Sequence, residues 1–168
     1  RTIDLILNVS ELQTGLYEYY PKVVSLREEI LGPIKNEFAL LAEEKRIDFK
    51  INIETEHDSV ICDEYSVGQI FNNLIDNAIK YTNEGFVKVN LYRDLQDKLV
   101  VTVEDSGIGI SEDYLSDLFT PFSQEDQGYS RKFDGNGLGM ALVKKYCELN
   151  EIGIDVESCK GTGTKFRL

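Results

Sequence analysis

The chain has 168 residues, 42% of them hydrophobic, and a formal net charge of -12. That is enough apolar content for one substantial core and too much negative charge for a nucleic-acid or anionic-membrane partner. No apolar run approaches the ~18 residues of a membrane span, and Cys62, Cys147 and Cys159 form an odd set without metal-ligand spacing, which predicts reduced thiols in a cytoplasmic compartment.

In chain order, Leu5, Val9, Leu12, Leu16 and Tyr19 recur at alternating spacings of four and three, predicting an N-terminal helix to about Tyr19. The spacing suits a coiled-coil-like seam, but roughly two and a half heptads also fit a simple packed helix. An extended segment follows at Lys22 to Val24. Ser25-Leu26-Arg27-Glu28 reads as a capping box opening a helix towards Glu44, kinked or interrupted at Gly32-Pro33. Strands are expected near Asp48 to Ile53 and Val60 to Cys62. Between them lies His57, the only histidine, in a polar stretch that reads as a solvated turn.

Gln69 to Thr82 then interleaves two patterns on one helix. At about 100° per residue, Val67, Phe71, Leu74, Ile75, Ala78 and Ile79 make a core face, while Asn73, Asn77 and Lys80 stack on the other side. Asparagine competes for backbone hydrogen bonds inside helices, so something outside this helix should want those groups. Carboxamide oxygens are hard ligands for a small hard cation and a lysine suits phosphate. The face therefore reads either as prepared for a magnesium-bound polyphosphate or as a solvated polar surface.

A hairpin-like pair comes next, Phe86 to Arg93 and Lys98 to Glu104, joined by the polar Asp94 to Asp97. The second strand ends in Asp105-Ser106-Gly107-Ile108-Gly109-Ile110, where a buried carboxylate could accept from an exocyclic amine. Residues 111 to 134 are polar, long and lid-like, with Tyr114, Leu115, Leu118, Phe119 and Phe122 as the expected anchors. Gly135-Asn136-Gly137-Leu138-Gly139-Met140 opens an amphipathic helix over 138 to 150, whose N-terminal amides suit an anion. Strands near Ile152 to Ser158 and Thr164 to Leu168 flank Gly161-Thr162-Gly163-Thr164. Each Gly-x-Gly alone is also an ordinary tight turn. The implied class is α+β, a two-layer α/β sandwich with a mixed sheet covered by helices on one face and one preceding N-terminal helix.

Taken in this order, the segments resemble the catalytic, ATP-binding domain of sensor histidine kinases, of the Bergerat fold shared with gyrase B and MutL. FNNLIDNAIKYT resembles the family's N box, DSGIGI and GNGLGM its first two glycine boxes, FTPF at Phe119 to Phe122 its F box, and GTGT its last glycine box. The resemblance covers about residues 23 to 168. It implies that Asn77 ligates magnesium, with Asn73 as the polar partner one turn earlier and Lys80 as a phosphate contact. Tyr81 would pack near adenine, and Asp105 would accept from the adenine amine, with Gly107, Gly109, Ile110 and Thr164 around it. The amides of Gly137, Leu138 and Gly139 would hold the phosphates, Phe122 and Gly135 would belong to the nucleotide site, and Arg131 and Lys132 would reach the γ-phosphate.

The implied cofactors are ATP and Mg2+. The implied partners are a phosphoacceptor histidine hairpin, a response-regulator receiver domain and a second subunit. Residues 1 to 20 would be the end of that hairpin and 21 to 168 the ATP-binding domain. Asn136 and Met140 depart mildly from the family pattern. Asn73 matters more, because hydrolysing relatives carry a water-activating glutamate there and an amide cannot take a proton. No Ser-His-Glu-like acceptor motif is present, so a chain opening on Arg1 reads as a piece of a longer protein. A hydrolysing or serine-phosphorylating relative and a non-catalytic nucleotide sensor are the alternatives.

Overall fold

A computed structural model describes residues 2–125 and 137–168. The first helix, α1 (Thr2–Thr14), stops five residues short of the expected end. Gly15 turns left-handed at φ 72°, and the amides of Leu16 and Tyr17 both return to the Glu11 carbonyl at 2.9 and 3.2 Å, a glycine-terminated helix end. The four-three alternation therefore runs past the helix it predicts. Leu16 is 72% exposed, whereas Val9 and Leu12 pack partly against the core. The exit of α1 is tied down by polar contacts: Tyr17 packs on Tyr146 with ring centroids 5.7 Å apart, and its hydroxyl donates to Asp63 Oδ1 at 2.7 Å.

Strands β1 (Pro21–Ser25) and β3 (Ser59–Asp63) form a separate two-stranded antiparallel sheet. Ser25 does cap the helix that follows, accepting from the Glu28 amide, but the reciprocal acceptor for the Ser25 amide is Glu29 Oε2 at 2.7 Å rather than Glu28. The first turn is wound as a π-helix, Leu26–Leu31, and its wider turn brings the fifth residue rather than the fourth under the cap. At Gly32-Pro33 the winding tightens into α2 (Gly32–Glu44), so the expected interruption takes the form of a change of pitch where proline has no amide to donate.

The main sheet has five strands in the order β2-β4-β5-β7-β6: β2 (Ile47–Ile53), β4 (Gly85–Arg93), β5 (Leu99–Asp105), β7 (Gly163–Arg167) and β6 (Asp155–Cys159). Only β2 and β4 run parallel, joined by a crossover through β3 and α3 (Glu64–Tyr81); the other pairs are antiparallel, so the sheet is mixed as expected. Alternation on β4 buries Val87, Val89 and Leu91. They join Val101, Val103 and Phe166 in a core closed by Val67, Ile70, Phe71, Leu74, Ile75, Ala78 and Ile79 of α3 and by Leu142, Val143 and Tyr146 of α5 (Gly139–Leu149). The opposite face is polar, with Asn52 donating to Asn90 at 2.9 Å and Asn90 to Thr102 at 3.2 Å across three strands. His57 lies exposed in the turn before β3, its carbonyl accepting from the Arg93 guanidinium.

The segment after β5 is only partly as expected. A short helix, α4 (Glu112–Leu115), opens it, and Tyr114, Leu115, Leu118 and Phe119 pack on the core. Phe122 does not: its side chain is 73% exposed. Its backbone sits at φ 63° and is held by a hydrogen bond to the Gly137 carbonyl instead. The latter part of the lid-like stretch, with Arg131 and Lys132, lies outside the described residues, as does Gly135 of the following glycine box.

Candidate functional site

Four separate stretches of sequence converge at one end of α3. Asn73 and Asn77 lie half-buried on the side of α3 that meets the start of α5. Asn73 donates to the Gln69 carbonyl at 2.7 Å, and its oxygen faces Gly139, where an added Cβ would stand 3.0 Å away. One turn on, the Asn77 amide nitrogen meets Met140 Sδ at 3.3 Å. The carboxamide oxygen has no hydrogen-bond partner among the described residues and keeps its lone pairs for a hard cation. The carboxamide face thus abuts the N-terminus of α5, whose first turn has no side-chain cap. The preceding Leu138 is buried, which anchors that terminus.

The end of α3 meets the loop after β5. Lys80 places its ammonium 5.0 Å from the Tyr81 ring centroid, and both residues are half-buried. The Tyr81 carbonyl accepts from the Ile108 amide at 3.2 Å. Lys45, which carried no signal in the sequence, caps this helix end by spreading its ammonium over the carbonyls of Ile79, Lys80 and Thr82. Its pKa is lowered because the group is partly withdrawn from water.

Asp105 ends β5 opposite Thr164 of β7. Burial pushes its carboxyl up to about 6, against hydrogen bonds from the Gly107 and Thr164 backbones that pull the other way; the Gly107 amide donates to Oδ1 at 2.8 Å. Gly109, at φ 64°, runs so close to the β6-β7 turn that an added Cβ would stand 2.0 Å from the Cys159 carbonyl. Two more bonds lock these loops together, Gly161 to the Ile108 carbonyl at 2.7 Å and the Ile110 amide to Ser158 Oγ at 2.8 Å. Sequence reasoning read Ser158 only as a strand residue. Its place three residues before the last glycine box was the one available hint.

Asn73, Asn77, Lys80, Tyr81, Asp105, Gly107, Gly109, Ile110, Gly137, Leu138, Gly139 and Thr164 therefore lie along connected elements. They form a carboxamide and helix-terminus end and an Asp105 end, bridged by Lys80 and Tyr81. Phe122 contributes backbone rather than side chain. A cavity of ≈ 210 Å³ lies elsewhere, lined by Val9, Phe119, Ala141 and Lys144 between α1, the Phe119 segment and α5. It contains none of these groups.

The family model for the histidine kinase-, DNA gyrase B- and HSP90-like ATPases matches residues 62–168. The chain is 30% identical over 167 residues to the autoinducer 2 sensor kinase/phosphatase LuxQ of Vibrio parahaemolyticus, covering 96% of this chain and 19% of that protein. It is 32% identical over 172 residues to the hybrid signal transduction histidine kinase B of Dictyostelium discoideum, covering 98% of this chain and 8% of that one. The chain thus spans less than a fifth of the length of these relatives. Among solved structures, the catalytic domain of histidine kinase ThkA in a nucleotide-free form superposes with a TM-score of 0.73 at 27% identity, over 90% of this chain and 93% of that one. Full-length ShkA in complex with AMPPNP superposes with a TM-score of 0.84 at 24% identity, over 98% of this chain and 34% of that one.

Proposed function

The chain belongs to the histidine kinase-, DNA gyrase B- and HSP90-like ATPase family, and from that premise we propose that it is the ATP-binding catalytic domain of a sensor histidine kinase, passing the ATP γ-phosphoryl group to a histidine outside residues 1–168. The observation that carries this reading is the convergence of two chemically opposite ends on one helix. The Asn77 carboxamide and the N-terminus of α5 suit a metal-bound polyphosphate, and the carboxylate of Asp105 suits an exocyclic amine.

Magnesium held by Asn77 would neutralise phosphate charge as it moves between oxygens. The chain's own groups do the positioning. Asp105 orients the base, Tyr81 packs beside it, and Lys80 with the amides of Gly137, Leu138 and Gly139 holds the phosphates. Arg131 and Lys132 stand next to that end in sequence and would reach the γ-phosphate. Asn73 hydrogen-bonds its own helix and, as an amide, cannot take a proton from water, so transfer is favoured over hydrolysis. The acceptor imidazole is itself the nucleophile, and positioning supplies most of the rate.

In this reading residues 1–20 end the phosphoacceptor hairpin and 21–168 form the catalytic domain. The parent protein dimerises through the hairpin, relays the phosphoryl group to a response-regulator receiver domain, and works in the cytoplasm. No helix among the described residues is long and apolar enough to cross a membrane. Labelled ATP offered to this chain with a histidine-bearing hairpin should yield acid-labile, base-stable phosphohistidine, unaffected by His57→Ala and abolished by Asn77→Ala. Robust ATP turnover by the chain alone, without phosphohistidine, would make it a hydrolase, and binding without either reaction would make it a nucleotide sensor.

A further inference from the structure

Asp105, Thr164 and Ser158 stand directly opposite one another on β5, β7 and β6. Paired residues on adjacent strands share a face, and Thr164 lies two residues before the buried Phe166, which pairs with Val103 in the core. The three polar side chains therefore form one row on the helix-covered face, at the end of the sheet where the glycine loops meet. Such a row among core residues calls for a full account of its hydrogens.

That account closes at Ser158. A hydroxyl has one proton and two lone pairs. Ser158 Oγ lies 2.9 Å from the Gly163 carbonyl, which can only accept, so its proton is committed there. The Ile110 amide, at 2.8 Å, takes one lone pair. The remaining contact, 2.8 Å to Thr164 Oγ1, must then run from Thr164 into the second lone pair. Thr164 has spent its only proton and can offer nothing but lone pairs to whatever lies against it. Asp105, once ionised, is likewise an acceptor only.

We infer that Ser158 is a specificity-determining positioning residue, fixing the hydrogen-bond polarity of Thr164 so that Thr164 and Asp105 together present an acceptor-only edge to the nucleobase. The inference rests on the adenine reading of the Asp105 end and deepens it. Both acceptors address the C6 position, where an exocyclic amine has one N–H for each and a carbonyl is repelled by both. Removing the Ser158 hydroxyl would free the Thr164 proton to turn towards the base, where it can donate to a carbonyl. Ser158 touches no ligand in this account and acts through Thr164.

The test is calorimetric titration of the chain with magnesium ATP and magnesium inosine triphosphate, in which a carbonyl replaces that amine and N1 gains a proton. The N1 change is common to every variant, so the shift of the ratio between variants reads the C6 position. Wild type should favour ATP by at least about tenfold, and Ser158→Ala should narrow the ratio by about tenfold, with ATP weakened and inosine triphosphate held or strengthened. In a Thr164→Val background, which has no proton to redirect, Ser158→Ala should leave the ratio where Thr164→Val alone puts it. Should the alanine variant fail to fold, Ser158→Cys, with a weak hydrogen-bonding thiol of similar shape, serves the same comparison. An equal loss for both nucleotides, or a narrowing that persists without the Thr164 hydroxyl, would overturn the inference and leave Ser158 as a loop tether. Failure of wild type to discriminate, or an unchanged ratio in Asp105→Asn, would instead remove the adenine reading and the inference with it.

Discussion

Asp105→Asn should stabilise the free protein while weakening its hold on ATP. Burial lifts the carboxyl from its ordinary 3.8 to about 6, a penalty on the ionised form on the order of 3 kcal/mol. A raised acid binds more protons folded than unfolded, so stability falls as pH rises from 3.8 through about 6, and the penalty is complete at neutral pH. Asparagine keeps an oxygen for the Gly107 amide but adds an NH2 group needing a partner, so the net gain at pH 7.5 should be about 1–2 kcal/mol, or roughly 2–8 °C in Tm for a domain of this size. The same change removes a charge-assisted bond to the adenine amine and should cost about 10- to 100-fold in ATP affinity. Thermal unfolding and calorimetric titration at several pH values read both effects. The Tm advantage of the variant should vanish below pH 3.8. Wild-type ATP affinity should decline below pH 6 by more than that of Asp105→Asn, which controls for titration of the phosphates. A variant less stable than wild type at pH 7.5, or one whose advantage persists unchanged in acid, would refute the reasoning.

Asp63 should show the opposite sign. Burial would raise its carboxyl, but hydrogen bonds from Ser66, Tyr17 and Tyr20 outweigh this and hold it below its ordinary value. Its stabilising contribution is therefore full above about 3.8 and is lost as pH falls through the depressed folded value. Asp63→Asn should lower Tm at pH 7, with the deficit shrinking in acid; an unchanged Tm at neutral pH would contradict this. Lys45→Met keeps the packed stem but strips the carbonyls of Ile79, Lys80 and Thr82 of their shared donor. It should cost about 2–3 kcal/mol by denaturant unfolding and speed amide exchange at the end of α3, whereas wild-type exchange there would show that the cap is dispensable. Gly109→Ala forces a Cβ into the Cys159 carbonyl at a left-handed backbone position and should abolish measurable ATP binding, while Gly153→Ala, with open space around it, should leave binding within about twofold.

Patterns whose physics is local were legible in the sequence. The two faces of α3 follow from a 3.6-residue repeat that any partner must respect, and alternation on β4 and the apolar run of β5 marked the hairpin at the centre of the sheet. The motif order brought Asn77, Asp105, Gly139 and Thr164 into one hypothesis before any coordinates. Even the misreadings were local rules overtaken by a neighbour. The α1 alternation continued in sequence after Gly15 had turned the chain, and the capping box chose Glu29 over Glu28 because the first turn winds as π. Tertiary structure alone decided the properties that depend on atoms distant in sequence. How far burial lifts Asp105 depends on strands and helices that close over it. The ammonium of Lys45 finds its carbonyls 34 to 37 residues away. The direction inferred for the Thr164 proton rests on a carbonyl and an amide that only strand register and the Gly109 approach bring to Ser158. A residue's type states what it can donate or accept, and its neighbours in space determine which of those options it has left to offer.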